Sequence, residues 1–294
     1  MLGFQQQFAD IWKSMPMSQI ALWMNPTGQK RSGKITTDAV IDTPVESEVP
    51  MIRGCGVWDT HIHIVPGVDD GARTIEEALE MFRMEARQGV DFIFATPHSS
   101  AFDDDSVRVQ RKYEELERAI NEAEIEKIQL MGLGCEMYCY PGKIIECLKK
   151  MEAGIYPTFG RRVLTEFPTY GFELKEALYC VDKLKDSGYI PIIAHVERYE
   201  FADYASVRTI REKGAEIQIN AYSLSNDRSV ARVRLTTDLV KFGLVDYMGS
   251  DAHRLDHRPP AVEDGVKQII DLTSHERAEE ILCVGPKCRM LRDQ

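Results

Sequence analysis

Two residue pairs in this sequence share a spacing and a chemistry. His61 and His63 stand two apart in Trp58-Asp59-Thr60-His61-Ile62-His63, and Asp251 and His253 stand two apart in Gly249-Ser250-Asp251-Ala252-His253. Alternate residues of a strand share a face, so each pair can offer two ligands to one metal ion. Four more residues of ligand type close short apolar runs: His98 after Ala95-Thr96-Pro97, Glu136 after Gly134-Cys135, Glu166 after Leu164-Thr165, and His195 after Ile193-Ala194. Taken singly, each has an ordinary explanation: carboxylates cap helices and histidines satisfy their neighbours. Jointly they do not, because polar residues scattered at random would not all choose the same end of their strands. Carboxylates converging at one place would also repel each other without a cation. Five histidines with several carboxylates exceed the four ligands of one zinc ion. The mixture suits manganese, iron or zinc better than calcium or magnesium, and implies two or more ions about 4 Å apart.

The elements that must position these residues follow a regular beat. Apolar or β-branched runs at Val57–Ile64, Asp91–Thr96, Ile128–Met137, Arg162–Phe167, Ile190–Val196, Glu216–Asn220 and Val245–Gly249 read as seven strands. Helical patterns lie between them at Ile75–Gln88, Asp105–Glu124, Lys143–Lys150, Leu174–Ser187, Ser206–Lys213 and Ser229–Phe242. Thr74-Ile75-Glu76-Glu77 reads as a capping box opening the first helix. Repeated βα units predict an α/β fold with a parallel sheet, open or closed, whose function gathers at the carboxyl ends of the strands. Six of the seven strands end in His, Asp or Glu; the sixth ends in Asn220, a poor ligand.

Residues 1–55 differ from the rest. Phe4, Phe8, Ile11, Trp12 and Met15 recur at helical spacing, and a polar, turn-rich stretch follows. This reads as an N-terminal extension, a short amphipathic helix and a linker, ahead of a domain over 56–294. No run is apolar and long enough to span a bilayer, and no signal peptide is visible. Seven cysteines, an odd number with no CxxC pair, read as reduced thiols of a cytoplasmic protein. A net charge of −11 argues against nucleic acid or an anionic membrane as a general partner.

The segment Asp59-Thr-His61-Ile-His63-Ile-Val-Pro-Gly-Val-Asp69-Asp70-Gly71 resembles the opening motif of the PHP-domain (polymerase and histidinol phosphatase) metallophosphoesterases. Within them the chain is most similar to the capsule-regulating CpsB/YwqE-type branch of bacterial tyrosine-protein phosphatases. Ala95-Thr-Pro-His98, Gly134-Cys-Glu136-Met-Tyr138, Leu164-Thr-Glu166-Phe167, Ile193-Ala-His195-Val-Glu-Arg198-Tyr199 and Ser250-Asp251-Ala-His253-Arg-Leu-Asp-His-Arg258-Pro-Pro260 extend the likeness over roughly Val57 to Met290. The resemblance implies a distorted (β/α)7 barrel of TIM type with three metals at its mouth. It implies the metal ligands His61, His63, Asp70, His98, Glu136, Glu166, His195, Asp251 and His253, of which Asp70 comes from the resemblance alone. It also implies that Arg198 and Arg258 bind phosphate; without it they read as surface or ion-paired arginines. Its expected activity is phosphomonoester hydrolysis by a metal-bridging hydroxide. The implied substrate is a phosphotyrosine protein, the tail of a bacterial tyrosine kinase in exopolysaccharide or capsule regulation. That kinase would draw a cytoplasmic enzyme to the inner face of the membrane, and a homo-oligomer is left open. No cysteine sits in a CxxxxxR loop, which speaks against cysteine-dependent phosphatase chemistry. The alternatives are histidinol-phosphate phosphatase or another small-molecule phosphoesterase, a nuclease, an amidohydrolase (which usually wants a lysine where Glu166 stands), and a regulatory module without activity.

Overall fold

The computed structural model describes residues 56–125, 127–225 and 230–291. The amphipathic helix and linker expected in residues 1–55 lie outside the described residues.

Among the described residues eight strands run parallel: β1 Val57–Ile62, β2 Val90–Ala95, β3 Gln129–Leu133, β4 Glu136–Tyr138, β5 Arg162–Glu166, β6 Ile190–Ile193, β7 Glu216–Asn220 and β8 Tyr247–Gly249. Neighbours in sequence are neighbours in space, as orders β1-β2-β3 and β4-β5-β6-β7-β8 show. The expected third strand over Ile128–Met137 is broken at Gly134-Cys135. Its second half still follows the end of β2, because Gly134 N donates to Ala95 O at 2.8 Å and Glu136 N to Pro97 O at 3.0 Å. The last strand meets the first: Asp251 N donates to His61 O at 2.7 Å and His63 N to Ala252 O at 2.9 Å. The result is a closed parallel ring of seven strands, the third of them in two pieces, with helices outside.

The helices are α1 Ile75–Arg87, α2 Ser99–Glu122, α3 Ile144–Glu152, α4 Leu174–Asp186, α5 Tyr204–Glu212, α6 Val230–Lys241, α7 Glu263–Leu272, α8 His275–Glu279 and α9 Gly285–Met290. The capping box expected at α1 is half made. Thr74 Oγ1 accepts from Glu77 N at 3.2 Å, but the Glu77 carboxylate is taken by the backbone N–H and guanidinium of Arg73. Helix α2 begins six residues before the expected Asp105. It holds non-helical backbone at Asp105 (φ −164°, ψ 90°), whose Oδ1 accepts from Arg108 N at 2.9 Å. The expected start is thus the cap of the second segment, and Ser99–Ala101, read as loop, belong to the first turn. Helices α7 to α9 had no counterpart in the sequence reading.

Inside the ring, Trp58, Phe94, Phe159, Leu164, Ile192, Ala194, Tyr247 and Met290 make one buried cluster. Trp58 stacks on Phe92 at 4.5 Å and meets Phe94 at 5.4 Å; Phe159 meets Phe94 at 4.6 Å. Helix α9 closes this end, since Arg289 Nη2 donates to Asp246 O and its guanidinium lies 4.9 Å from the Tyr247 ring centre. A register shift between Asp59 and Ile62 changes the parity of β1. Trp58 and His61, three apart, therefore both face inward, one into the apolar floor and one into the polar layer above it.

Gly134 marks the break in the third strand for a steric reason. A Cβ there would stand 2.2 Å from Phe159 Cζ. Gly134→Ala should push the ring out of the floor and cost about 1–3 kcal/mol, the usual range for overpacking a core. Thermal denaturation checks this; an unchanged melting temperature would refute the close packing of Phe159 on the strand break.

Candidate metal centre

All nine residues named as ligand candidates meet at the carboxyl ends of the strands. Glu136, 1% exposed on the short β4, is their hub. Its Oε1 lies 2.9 Å from His195 Nε2 and 3.3 Å from His61 Nε2, and its Oε2 lies 2.8 Å from His98 Nδ1 and 3.3 Å from His63 Nε2. His61 and His63 approach each other at 3.3 Å through their Nε2 atoms. Glu166 Oε1 is 3.6 Å from His195 Nε2. Asp251 Oδ1 lies 3.8 Å and 3.7 Å from the Nε2 atoms of His61 and His63. Asp70 stands at the outer edge, its side chain 61% exposed, with Oδ1 3.3 Å from His98 Nε2 and 3.5 Å from His253 Nε2.

Three subsets bring one ligand atom per residue within 4.8 Å of one another: His63, Asp70, His98 and His253; His61, His63 and Glu136; and His98, Glu136 and Glu166. Each could hold a divalent cation, and shared members link them. The donor set supports this fit: imidazoles and carboxylates, ligand types suited to manganese, iron or zinc, converge here, with His61 and His63 Nε2 only 3.3 Å apart. His195 and Asp251 lie beside these subsets without belonging to one.

The electrostatics are those of a cage in which protons stand where cations could. Burial would raise the Glu136 carboxyl, yet His61, His195 and His63 hold it well below the usual range. For His98 burial opposes protonation, but Asp70 and Glu136 push it up to about 11. His63 rises to about 9: burial and His98 oppose, while Asp69 and Glu136 prevail. Glu166 is pushed up to about 7 by burial and by the Glu136 charge. His253 falls to about 3 through burial and the neighbouring His63.

Arg198 and Arg258 converge on one atom. Asp251 Oδ2 accepts from Arg198 Nη1 at 3.1 Å, Arg258 Nη1 at 2.8 Å and Asn220 Nδ2 at 2.8 Å. Asp251 thus turns one oxygen to the histidines and the other to the arginines. Arg258 Nη2 also meets His253 Nε2 at 2.7 Å, and His253 Nδ1 donates to Asp251 O at 2.9 Å. Both arginine side chains keep about a quarter of their surface open, 27% and 24%. His257 and His275, outside the proposed cage, are exposed.

Several positioning residues escaped the sequence reading. Asp69 Oδ2 lies 2.9 Å from His63 Nδ1 and accepts from His98 N at 2.9 Å, which directs His63 Nε2 at the cluster. Gly71 follows because a Cβ there would stand 2.1 Å from His63 O. Gln218 Oε1 accepts from His195 N at 2.7 Å and lies 3.4 Å from His61 Nδ1. Asp59, fully buried, accepts from His61 N, Ser250 N and Ser250 Oγ at 3.0, 2.8 and 2.6 Å, and so ties the two i, i+2 pairs together. The available signal was alternation: Gln218 and Asn220 share the inward face of β7, and Asp69 stands beside Asp70.

The family model for capsular polysaccharide synthesis, CpsB/CapC, matches residues 57–291. CapC of Staphylococcus aureus is 34% identical over 209 residues, 68% of this chain and 78% of that one. The tyrosine-protein phosphatase YwqE of Bacillus subtilis is 31% identical over 205 residues, 68% of this chain and 78% of its own. A crystal structure from work on YwqE and Streptococcus pneumoniae CpsB, described as metal-dependent tyrosine phosphatases, superposes with a TM-score of 0.66 at 26% identity, covering 81% of this chain and 95% of that one. The chain belongs to the CpsB/CapC family of capsular polysaccharide synthesis proteins.

Proposed function

We propose that this protein is a metal-dependent protein-tyrosine phosphatase. The observation that carries the reading is the buried Glu136 ringed by four imidazoles, with two partly exposed arginines at the edge of the same cluster. His61, His63, Asp70, His98, Glu136, Glu166, His195, Asp251 and His253 would hold two or three divalent ions, manganese first, with iron or zinc as the other choices. Bound divalent ions supply Lewis acidity, lowering the pKa of water and neutralising charge on phosphoryl oxygens.

The chain's own residues do the rest. Arg198 and Arg258, held by Asp251 Oδ2, present N–H groups to the phosphate oxygens, where charge accumulates in the transition state. Asp251 links those arginines to the histidine cluster, so substrate and cage are held in one register. The leaving group is a phenoxide of pKa about 10, easier to expel than an alkoxide. Cys135, the cysteine next to Glu136, is kept a thiol by burial and by the Glu136 charge, which leaves it no role as a nucleophile.

A second reading is a phosphatase of small alkyl esters such as histidinol phosphate, on the same site. Turnover of a phosphotyrosine peptide against histidinol phosphate separates the two. The relatives' link to capsule synthesis supports a bacterial tyrosine kinase as protein substrate. On this reading residues 56–294 catalyse, and residues 1–55 bring the enzyme to that kinase at the inner face of the membrane. Removing residues 1–55 should then leave hydrolysis of an aryl phosphate intact and weaken membrane association in cells; unchanged association would end that part of the reading.

His61→Ala and Asp251→Ala should each lower aryl phosphatase activity more than about 100-fold, beyond the loss typical for an outer partner of a ligand. Full activity with unchanged metal content would overturn the assignment. Metal uptake should also release protons. His63 and His98 hold protons up to about 9 and about 11 in the metal-free cage, and a cation must displace them. Affinity should therefore rise with pH through neutrality, and titration calorimetry in buffers of different ionisation enthalpy should read a net proton release at pH 7. Proton-neutral binding would refute this account of the cage.

A further inference from the structure

One exposed aromatic pair has no packing explanation. Tyr138 ends β4 two residues after Glu136, so the two side chains share the inward face, Tyr138 about 6.6 Å nearer the mouth. Its register partner on β5 is Glu166. Tyr138 is 37% exposed and Tyr140 39%, and their rings meet edge to face at 6.0 Å. Their backbone is firmly held. Tyr138 N donates to Ser99 Oγ at 3.1 Å, beside His98; Cys139 N donates to Glu166 O at 2.8 Å; and Tyr140 O accepts from Lys143 N and Ile144 N at 2.9 and 3.0 Å, capping α3. The Tyr140 ring lies over Gly142, where a Cβ would stand 2.9 Å from Cε2.

A pinned backbone carrying free aromatic faces is a recognition element, because little ordering remains to be done when a second ring arrives. We infer that Tyr138, braced by Tyr140, is the ledge on which the aryl ring of a phosphotyrosine side chain rests while its phosphate enters the Glu136 cluster. The inference rests on the phosphatase reading and adds a specificity determinant to it. One strand repeat from Glu136 to Tyr138 matches the reach from phosphorus across a phenyl ring. A saturated ester of the same size presents no π face and gains none of the edge or offset-stacking energy.

The test uses the full-length, metal-loaded protein with two probes, phenyl phosphate and cyclohexyl phosphate. For each variant, the phenyl-over-cyclohexyl ratio of kcat/KM is divided by the wild-type ratio, which cancels the intrinsic reactivity of the esters. Tyr138→Ala should lower this quotient about fivefold to tenfold, the size of one aromatic pair contact, through KM for the phenyl ester. Tyr138→Phe should keep it near one, since the ring and not the hydroxyl is used. Tyr140→Ala should give a smaller fall. A quotient near one for Tyr138→Ala, or an equal loss in Tyr138→Phe, overturns the ledge while leaving the phosphatase reading standing. Wild-type protein that hydrolyses neither ester overturns that reading and the ledge with it.

Discussion

An ionised carboxylate removed from water must be compensated by hydrogen bonds or positive charge, and Glu136 is compensated by charge. Four imidazoles meet its two oxygens within 3.3 Å. Those imidazoles arrive from the ends of β1, β2 and β6, so the charge balance at one atom pair holds several loops of the ring in place. Asp251, the other buried acid of the cage, is compensated from the opposite side by Arg198, Arg258 and Asn220. The cage is thus charged at its centre and neutralised from its walls, and the ring must close before either carboxylate can be satisfied.

The two layers inside the ring divide the labour. The floor, from Trp58 to Tyr247, is apolar and aromatic, and its burial supplies the stability that the polar layer does not. The polar layer carries visible strain. His195, Asp251 and Arg258 occupy left-handed backbone, with φ of 32°, 52° and 54°. Side chains other than glycine pay for that conformation, and all three sit at the cage or on its arginines. His195 and Asp251 leave the strand direction there, two residues after β6 and β8 end, and Arg258 turns back from the following loop toward Asp251.

Much of this was legible in the sequence, and the remainder was hidden for identifiable reasons. Strand-end histidines and acids stood out because apolar β runs frame them and period two assigns their face. Asp70 was beyond that rule, since it lies in a loop, and only the resemblance supplied it. The break at Gly134-Cys135 left no mark because both halves are equally apolar and the cause, the Phe159 ring, comes from a distant loop. The early start of α2 was hidden because Ser99-Ser100-Ala101 has neither apolar periodicity nor a side-chain cap. Gln218 and Asp69 went unseen because an amide on a strand, or one of two adjacent aspartates, shows its role only when its partner is in view. Helices α7 to α9 follow the last site motif, and the strand-by-strand beat did not extend to them.

The tie between Asp59 and Ser250 spans 191 positions of the chain. A ribosome delivers His61 and His63 long before Asp251 and His253, so during synthesis the cage exists only as separate fragments. The closing strand is also the strand that brings the last ligands and the carboxylate that holds both arginines. Acquisition of the complete site is therefore coupled to closure of the ring, and a chain truncated before β8 has neither a closed ring nor a finished cage.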